Sequence, residues 1–281
     1  MIKIGKYNRL KVARLTDFGA YLDGGNGVEV LIPARYLETV PEEGTELDVF
    51  VYTDSEDRLI ATTEKPLIEV GQFAFLQVVD VNNRVGAFLD WGLQKDLLCP
   101  FNEQRDKMLP GGIYCVYAYL DDATKRVVAS SKIEKFLGNV YPDYRPHQRV
   151  EALIYKRSEI GYMAIVDNLH HGMIYVDEMI QHPEIGTKVT AYVKKVRDDG
   201  KLDLTLKDTN GRRAHSTGDA ILEKMRANGG VLKITDKSSP EEIASEFGCS
   251  KKDFKKAVGF LYKERKITID SAELRLAGRR K

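Results

Sequence analysis

A chain of 281 residues with 43% apolar and 30% charged residues exceeds one ordinary small domain, so two or more compact cores are expected. No apolar run approaches the roughly 20 residues of a membrane-spanning helix, and neither a secretory nor a lipidation signal is evident, so a cytoplasmic, membrane-free protein is expected. Net charge is +1, yet residues 212–281 hold 17 Lys+Arg against 10 Asp+Glu while residues 1–211 hold 26 against 32, an asymmetry that suits a polyanionic partner for the C-terminal part, a solvated lysine face being the bland alternative.

Residues 1–66 alternate short apolar, β-prone runs with Gly, Asp and Asn turns. The five candidate strands are "RLKVARL", "GAYLD", "VEVLIP", "LDVFVY" and "RLIATT". Residues 67–140 repeat the order with "FAFLQVVDV", "GAFLDWG", "DLLCP", "IYCVYAYL" and "RVVASS". Gly19 and Gly86, Pro33 and Pro100, and Tyr52 and Tyr119 all stand 67 residues apart, and one offset shared by unrelated residue types marks an internal repeat. A more divergent third copy fills 141–211: "VEALIYKR", "GYMAIVD", "GMIYVDEM", "KVTAYVKKV" and "KLDLTL". Five strands with a short irregular stretch after the third, as in "PARYLETV", fit a small closed barrel of the OB type, with an SH3-like barrel as the competing shape. The joins "EKFLGNVYPDYRPHQ" and "KDTNGRRAHSTG" read as the flexible linkers.

The grammar changes at 212–281. "STGDAILEKMRANGG" reads as a helix, "VLKIT" as a short strand, and "SSPEEIASEFG" as a helix with Ser239 as N-cap, Pro240 in the first turn and Gly248 as its stop. Ser250 and Asp253 form a capping-box variant that opens a further helix. There Phe254, Ala257, Val258, Leu261 and Tyr262 make the apolar stripe, and Lys252, Lys255, Lys256, Gly259, Lys263 and Lys266 fall on the other side. "KITIDSAELRLA" reads as a hairpin. This order is that of a winged helix-turn-helix, so the fold class is mainly β with a C-terminal α+β domain: three tandem OB-fold barrels, then a winged helix.

Catalytic chemistry finds little support. Asp121-Asp122 and Asp198-Asp199 invite a metal-nuclease reading, but tight-turn chemistry already explains acids there. His170-His171 are strand neighbours that point to opposite faces and chelate poorly. Cys99, Cys115 and Cys249 lack C-x-x-C spacing and read as reduced and structural. No nucleophile triad or phosphate loop is present, so no catalytic residues, metal or cofactor are expected.

Phe18-Gly19-Ala20-Tyr21 resembles the S1 RNA-binding domain, an OB-fold family with a Phe-Gly-Ala/Val-aromatic strand. The resemblance implies that Phe18 and Tyr21 stack on bases of single-stranded RNA. The family's Gly-Leu-Val-His-Ile segment is replaced by "VEVLIP" and "DLLCP", so its histidine is missing from the first two copies. Copy two has Val85 at the Phe18 position, with Phe88, Trp91 and Lys95 as candidate contacts. Copy three replaces the motif with Ile160-Gly161-Tyr162-Met163. It interleaves Tyr155, Lys156, Arg157, Lys194, Lys195 and Arg197, the mixture single-strand binding requires, and adds Tyr162 and His170. Lys252, Lys255, Lys256 and Lys263 of the last helix extend the basic set. That face lacks the Arg, Asn or Gln that read base edges, so sequence-specific DNA recognition is not expected.

Three S1-like modules followed by a basic winged helix are similar to the conserved virulence factor B (YitL-like) family of bacterial RNA-binding regulators, across essentially the whole chain. The resemblance implies a noncatalytic cytoplasmic protein that regulates gene expression after transcription. The alternative is a protein-interaction scaffold whose acidic first modules dock a ribosome-associated or RNA-decay partner.

Overall fold

The computed structural model describes residues 2–178, 182–207, 212–270 and 273–277. The chain divides into two compact units, Met1–Asp143 with Val150–Val189 and Val196–Asp203, and Tyr144–Arg149 with Thr190–Lys195 and Leu204–Lys281.

The first barrel consists of β1 (Lys6–Thr16), β2 (Gly19–Asp23), β3 (Glu29–Pro33), β4 (Glu46–Thr53) and β5 (Leu59–Thr62). It closes in the order β1-β2-β3-β5-β4, with β3 and β5 parallel at Leu31 and Ile60. Alternation places Val12, Ala20, Leu22, Val30, Ile32, Val49 and Val51 inside. The second barrel repeats this order with β6 (Phe73–Asn82), β7 (Gly86–Leu89), β8 (Leu97–Pro100), β9 (Ile113–Leu120) and β10 (Val127–Ser130). Its end strands β8 and β10 lie beside each other without a ladder between them. The third is closed: β11 (Arg149–Arg157), β12 (Gly161–Val166), β13 (His170–Tyr175), β14 (Lys188–Val196) and β15 (Leu202–Thr205). β13 starts two residues before the expected Gly172, at His170, and Met179 of that expectation lies outside the described residues. A 3₁₀ turn follows the third strand of every barrel, at Ala34–Tyr36, Phe101–Glu103 and Val176–Glu178.

The repeat recurs as geometry. Each first strand carries a bulge at one register position, between Val12 and Arg14, Val78 and Asp80, and Ile154 and Lys156. Gly19 faces Pro33, Gly86 faces Pro100, and Gly161 faces Tyr175. Gly19 and Gly86 share φ +146°, and a Cβ on any of the three would run into the carbonyl oxygen of Ile32, Cys99 or Ile174. Only glycine fits where the two strands come this close.

Barrels one and two share a core. Phe50, Tyr52 and Ile60 of the first pack with Trp91, Leu93, Leu97 and Met108 of the second. Barrel two meets β11 and β12 through Phe73, Ile133, Leu137, Leu153 and Ile165. The expected flexible join after residue 134 is therefore anchored at its start. Leu137 is buried, Phe136 stacks on Tyr117 with centroids 4.1 Å apart, and Gly138 N–H donates to Leu169 O at 2.8 Å. Of the other expected linker, residues 208–211 lie outside the described residues, and 212–218 are not a linker but the start of the first helix of the C-terminal domain.

The C-terminal domain comprises α1 (Arg212–Ala227), β16 (Val231–Leu232), α2 (Pro240–Phe247), α3 (Lys251–Lys263), β17 (Ile267–Ile269) and β18 (Leu274–Leu276), with sheet order β16-β18-β17. α1 starts before the expected Ser216, and β16 is shorter than "VLKIT". Capping follows the residue types. Ser239 Oγ accepts from Glu242 N at 3.1 Å, Ser250 Oγ from Asp253 N at 3.2 Å, and Gly248 ends α2 at φ 60°. Ile221, Met225, Ile243, Phe254, Ala257 and Leu261 form the core.

Candidate nucleic-acid interface

In barrel one Phe18 stands at the corner between β1 and β2, 68% exposed. Its ring lines a shallow cavity of about 550 Å³ with Leu31, Pro33, Arg35, Arg58 and Ile60. Tyr21 is half-buried, and the Arg14 guanidinium lies 3.8 Å from its ring centroid. Most of the charge around these rings is already committed, Arg35 lying over the Tyr36 ring instead of pairing with a carboxylate among the described residues. Arg14 donates to both carboxylate oxygens of Glu29, at 3.1 and 2.8 Å, Arg9 pairs with Glu46, and Arg58 pairs with Asp54 and Glu56. With 8 Lys+Arg against 12 Asp+Glu over residues 1–66, this face offers stacking surface with little net attraction for phosphate.

Barrel two departs further from expectation. Phe88, half-buried, faces Asp80 across the ladder where Tyr21 faces Arg14. Trp91 is not a stacking platform. It is 2% exposed, it packs edge-on against Phe50 and Tyr52 with centroids 5.8 Å away in each case, and its indole N–H donates to Lys95 O. Lys95 is not a phosphate contact either. Its Nζ donates to Thr53 O and Asp54 O at 2.8 and 2.7 Å, and burial followed by nearby Arg126 lowers its pKa. Both residues fasten barrel two onto barrel one, assisted by the Arg126–Asp57 ion pair.

In barrel three the strand period explains the corrections. Gly161-Tyr162-Met163 occupies the register of Gly19-Ala20-Tyr21, so Tyr162 takes the inward position of Ala20 and is buried at 4%. A one-residue shift sends a side chain to the opposite face. Met163 occupies the outward place and faces Lys156. Tyr155 sits at the bulge with its ring packed on the Phe73–Leu153–Ile165 cluster, and burial pushes its hydroxyl up to about 12. His170 is buried, and burial lowers its pKa. Arg197 is held by Asp203 at 2.7 Å and by the Tyr175 hydroxyl. Lys156, Arg157, Lys194 and Lys195 are exposed.

The acidic turns are turns. Asp121 accepts from Thr124 N and Oγ1 at 2.9 and 2.6 Å, and these bonds hold its carboxyl below the usual range, while Asp199 accepts from Lys201 N at 3.1 Å. Among the described residues no group of three or more His, Cys, Asp or Glu could hold a metal. Burial pushes the thiols of Cys99 and Cys115 up to about 12, so both stay protonated near neutrality. No helix among the described residues is long and apolar enough to cross a membrane.

On α3 the expected lysines Lys252, Lys255, Lys256 and Lys263 are all exposed. No side-chain hydrogen bond or ion pair to a described residue engages them, in contrast to the arginines of barrel one. Tyr262, expected in the buried stripe, is 55% exposed. At 3.6 residues per turn the stripe has drifted past it by the last turn, and the core closes on Leu261 instead. Tyr262 is the candidate contact that the apolar pattern concealed, and its helical angle, only about 20° from Lys255, was the signal available for it.

Comparisons with known proteins agree with this architecture. Residues 4–64 match the S1 domain, 142–208 the second domain of the virulence regulatory factor CvfB, and 219–276 the CvfB-like winged helix domain. YitL of Bacillus subtilis (strain 168) is 28% identical over 271 residues, 94% of this chain and 90% of the relative. Conserved virulence factor B of Staphylococcus aureus (strain USA300) is 27% identical over 282 residues, 97% of this chain and 94% of the relative. A crystal structure of a multidomain protein with nucleic acid binding domains from Streptococcus pneumoniae aligns over 97% of this chain and 98% of its own, with 23% identity and a TM-score of 0.41. An S1 domain, a CvfB second domain and a CvfB-like winged helix are thus matched in this order along the chain, which is similar over nearly its whole length to YitL and to conserved virulence factor B.

Proposed function

We propose that this protein is a noncatalytic, cytoplasmic single-stranded RNA-binding protein that regulates gene expression after transcription. It is built from modules over 1–66, 67–140, 141–211 and 212–281, and the third and fourth supply the main RNA contacts. The observation that carries the reading is the lysine face of α3. Lys252, Lys255, Lys256 and Lys263 are exposed, with side chains engaged by no described residue, within a segment of net positive charge. Charge left unneutralised by the fold is what a phosphate backbone recruits. Lys156, Arg157, Lys194 and Lys195 add exposed cations on β11 and β14. Kinship with a virulence regulatory factor supports the regulatory role. The test is a titration of single-stranded RNA with charge-reversed pairs. Lys194→Glu with Lys195→Glu, and Lys255→Glu with Lys256→Glu, should each weaken binding, and unchanged affinity in both pairs would remove this placement.

A second reading is favoured by the acidic balance and ion-paired arginines of barrel one. There the first two barrels dock a ribosome-associated or RNA-decay protein and RNA affinity is incidental. A partner retained on the full chain after nuclease treatment, with no direct RNA binding by the pure protein, would select it.

A further inference from the structure

The lysine face of α3 holds one ring and one gap. Taking about 100° per residue, Lys252, Lys255, Lys256, Gly259, Tyr262 and Lys263 fall within about 120° of one another, while Phe254, Ala257, Val258 and Leu261 occupy the opposite side. From Lys252 to Lys263 the stripe runs about 16 Å. Tyr262 is 55% exposed, and its side chain is engaged by neither a ring nor a hydrogen-bond partner among the described residues. One turn earlier stands Gly259, exposed in a helix interior, where an added Cβ would meet nothing within 4 Å. Packing therefore does not demand this glycine, although glycine weakens a helix.

A solvated lysine face meant only for solubility has no use for an exposed aromatic ring beside a bare stretch of backbone. A single strand has a use for all three features. Phosphates pair with the lysines, an unpaired base stacks on the ring, and the missing Cβ leaves room for the base or its sugar to lie against the helix. A duplex in its groove offers base edges but no open base face, so the ring contributes nothing specific there. We infer that Tyr262 is a base-stacking residue and that α3 binds unpaired RNA, with Gly259 as the slot beside the ring. This rests on the RNA-binding reading above and names the state of the RNA and a residue that reading does not use.

The test uses the full chain and fluorescein-labelled oligoadenylate of about 16 nucleotides, by anisotropy at several salt concentrations. An RNA duplex of equal length serves as the second probe. Tyr262→Ala should weaken single-strand binding about 5- to 150-fold, the range for removing one stacked base. The slope of log K against log salt should stay unchanged, and Tyr262→Phe should bind like the parent. Lys255→Ala with Lys256→Ala should instead flatten that slope by about 0.7 for each phosphate no longer neutralised. If Tyr262→Ala binds oligoadenylate as the parent does while the lysine variant is weakened, the stacking inference falls and the RNA reading survives. Equal weakening on both probes would overturn the preference for unpaired RNA. If the parent binds neither probe, both proposals fail together.

Discussion

Gly19, Gly86 and Gly161 show how one residue type sustains the architecture. At Gly19 a side chain would have to accept φ +146° and displace the Ile32 carbonyl. Gly19→Ala should therefore cost about 1–3 kcal/mol, measured by chemical denaturation. Trp91 makes a sharper case. As the single tryptophan of the chain it reports the join between barrels one and two. Its fluorescence should be blue-shifted and unquenched by saturating RNA, and Trp91→Ala should cost about 3–5 kcal/mol without a specific drop in RNA affinity. Quenching by RNA in the folded protein would return Trp91 to the binding surface. Burial of His170 and His171 sets a pH dependence. Both pKa values are lowered from 6.5, burial first among the causes, so the unfolded chain binds more protons below that pH. Stability is then fully present above about pH 6.5 and falls as the pH drops through the lowered values. Denaturation midpoints at pH 7 and pH 5 check this, and His170→Gln should reduce the difference.

At the scale of elements, much was legible in residue order and some was not. The strands, the caps at Ser239, Gly248 and Ser250, and the glycine repeat were readable because each depends on local chemistry and a fixed period. Trp91 and Lys95 were misread because the surfaces that cover them, Phe50 and Tyr52 in one case and Thr53 O and Asp54 O in the other, come from another module. Tyr162 looked like a displaced stacking ring, but register decides its face, and register resides in the Gly161–Tyr175 pair. Tyr262 was hidden by helical phase at the end of α3. The same helix yields a stability prediction. Gly259→Ala should stabilise the winged helix by up to about 1 kcal/mol, since nothing obstructs the added methyl. Thermal unfolding measures this, and a lower midpoint would mean that α3 needs its glycine for folding.

For the whole molecule, charge commitment separates the parts more clearly than fold does. All three barrels have the same strand order, and their exposed corners carry Phe18, Val85 and Ile160. Barrel one pairs Arg9, Arg14 and Arg58 internally, barrel two sets Asp80 opposite its outward ring, and barrel three sets Lys156 at that position. Repetition of a barrel therefore does not repeat its surface charge. Barrels one and two should also unfold as one cooperative body, because Phe50, Tyr52 and Trp91 belong to one core. The central claim is that RNA is held by cations outside the first two barrels. The most direct test is the affinity of the full chain for single-stranded RNA at two salt concentrations, comparing the parent with Lys255→Glu/Lys256→Glu and with Arg14→Glu. A steep salt dependence that is reduced by the α3 pair and untouched by Arg14→Glu is the expected result. Abolished binding with Arg14→Glu and unchanged binding with the α3 pair would place the RNA on barrel one and contradict the account.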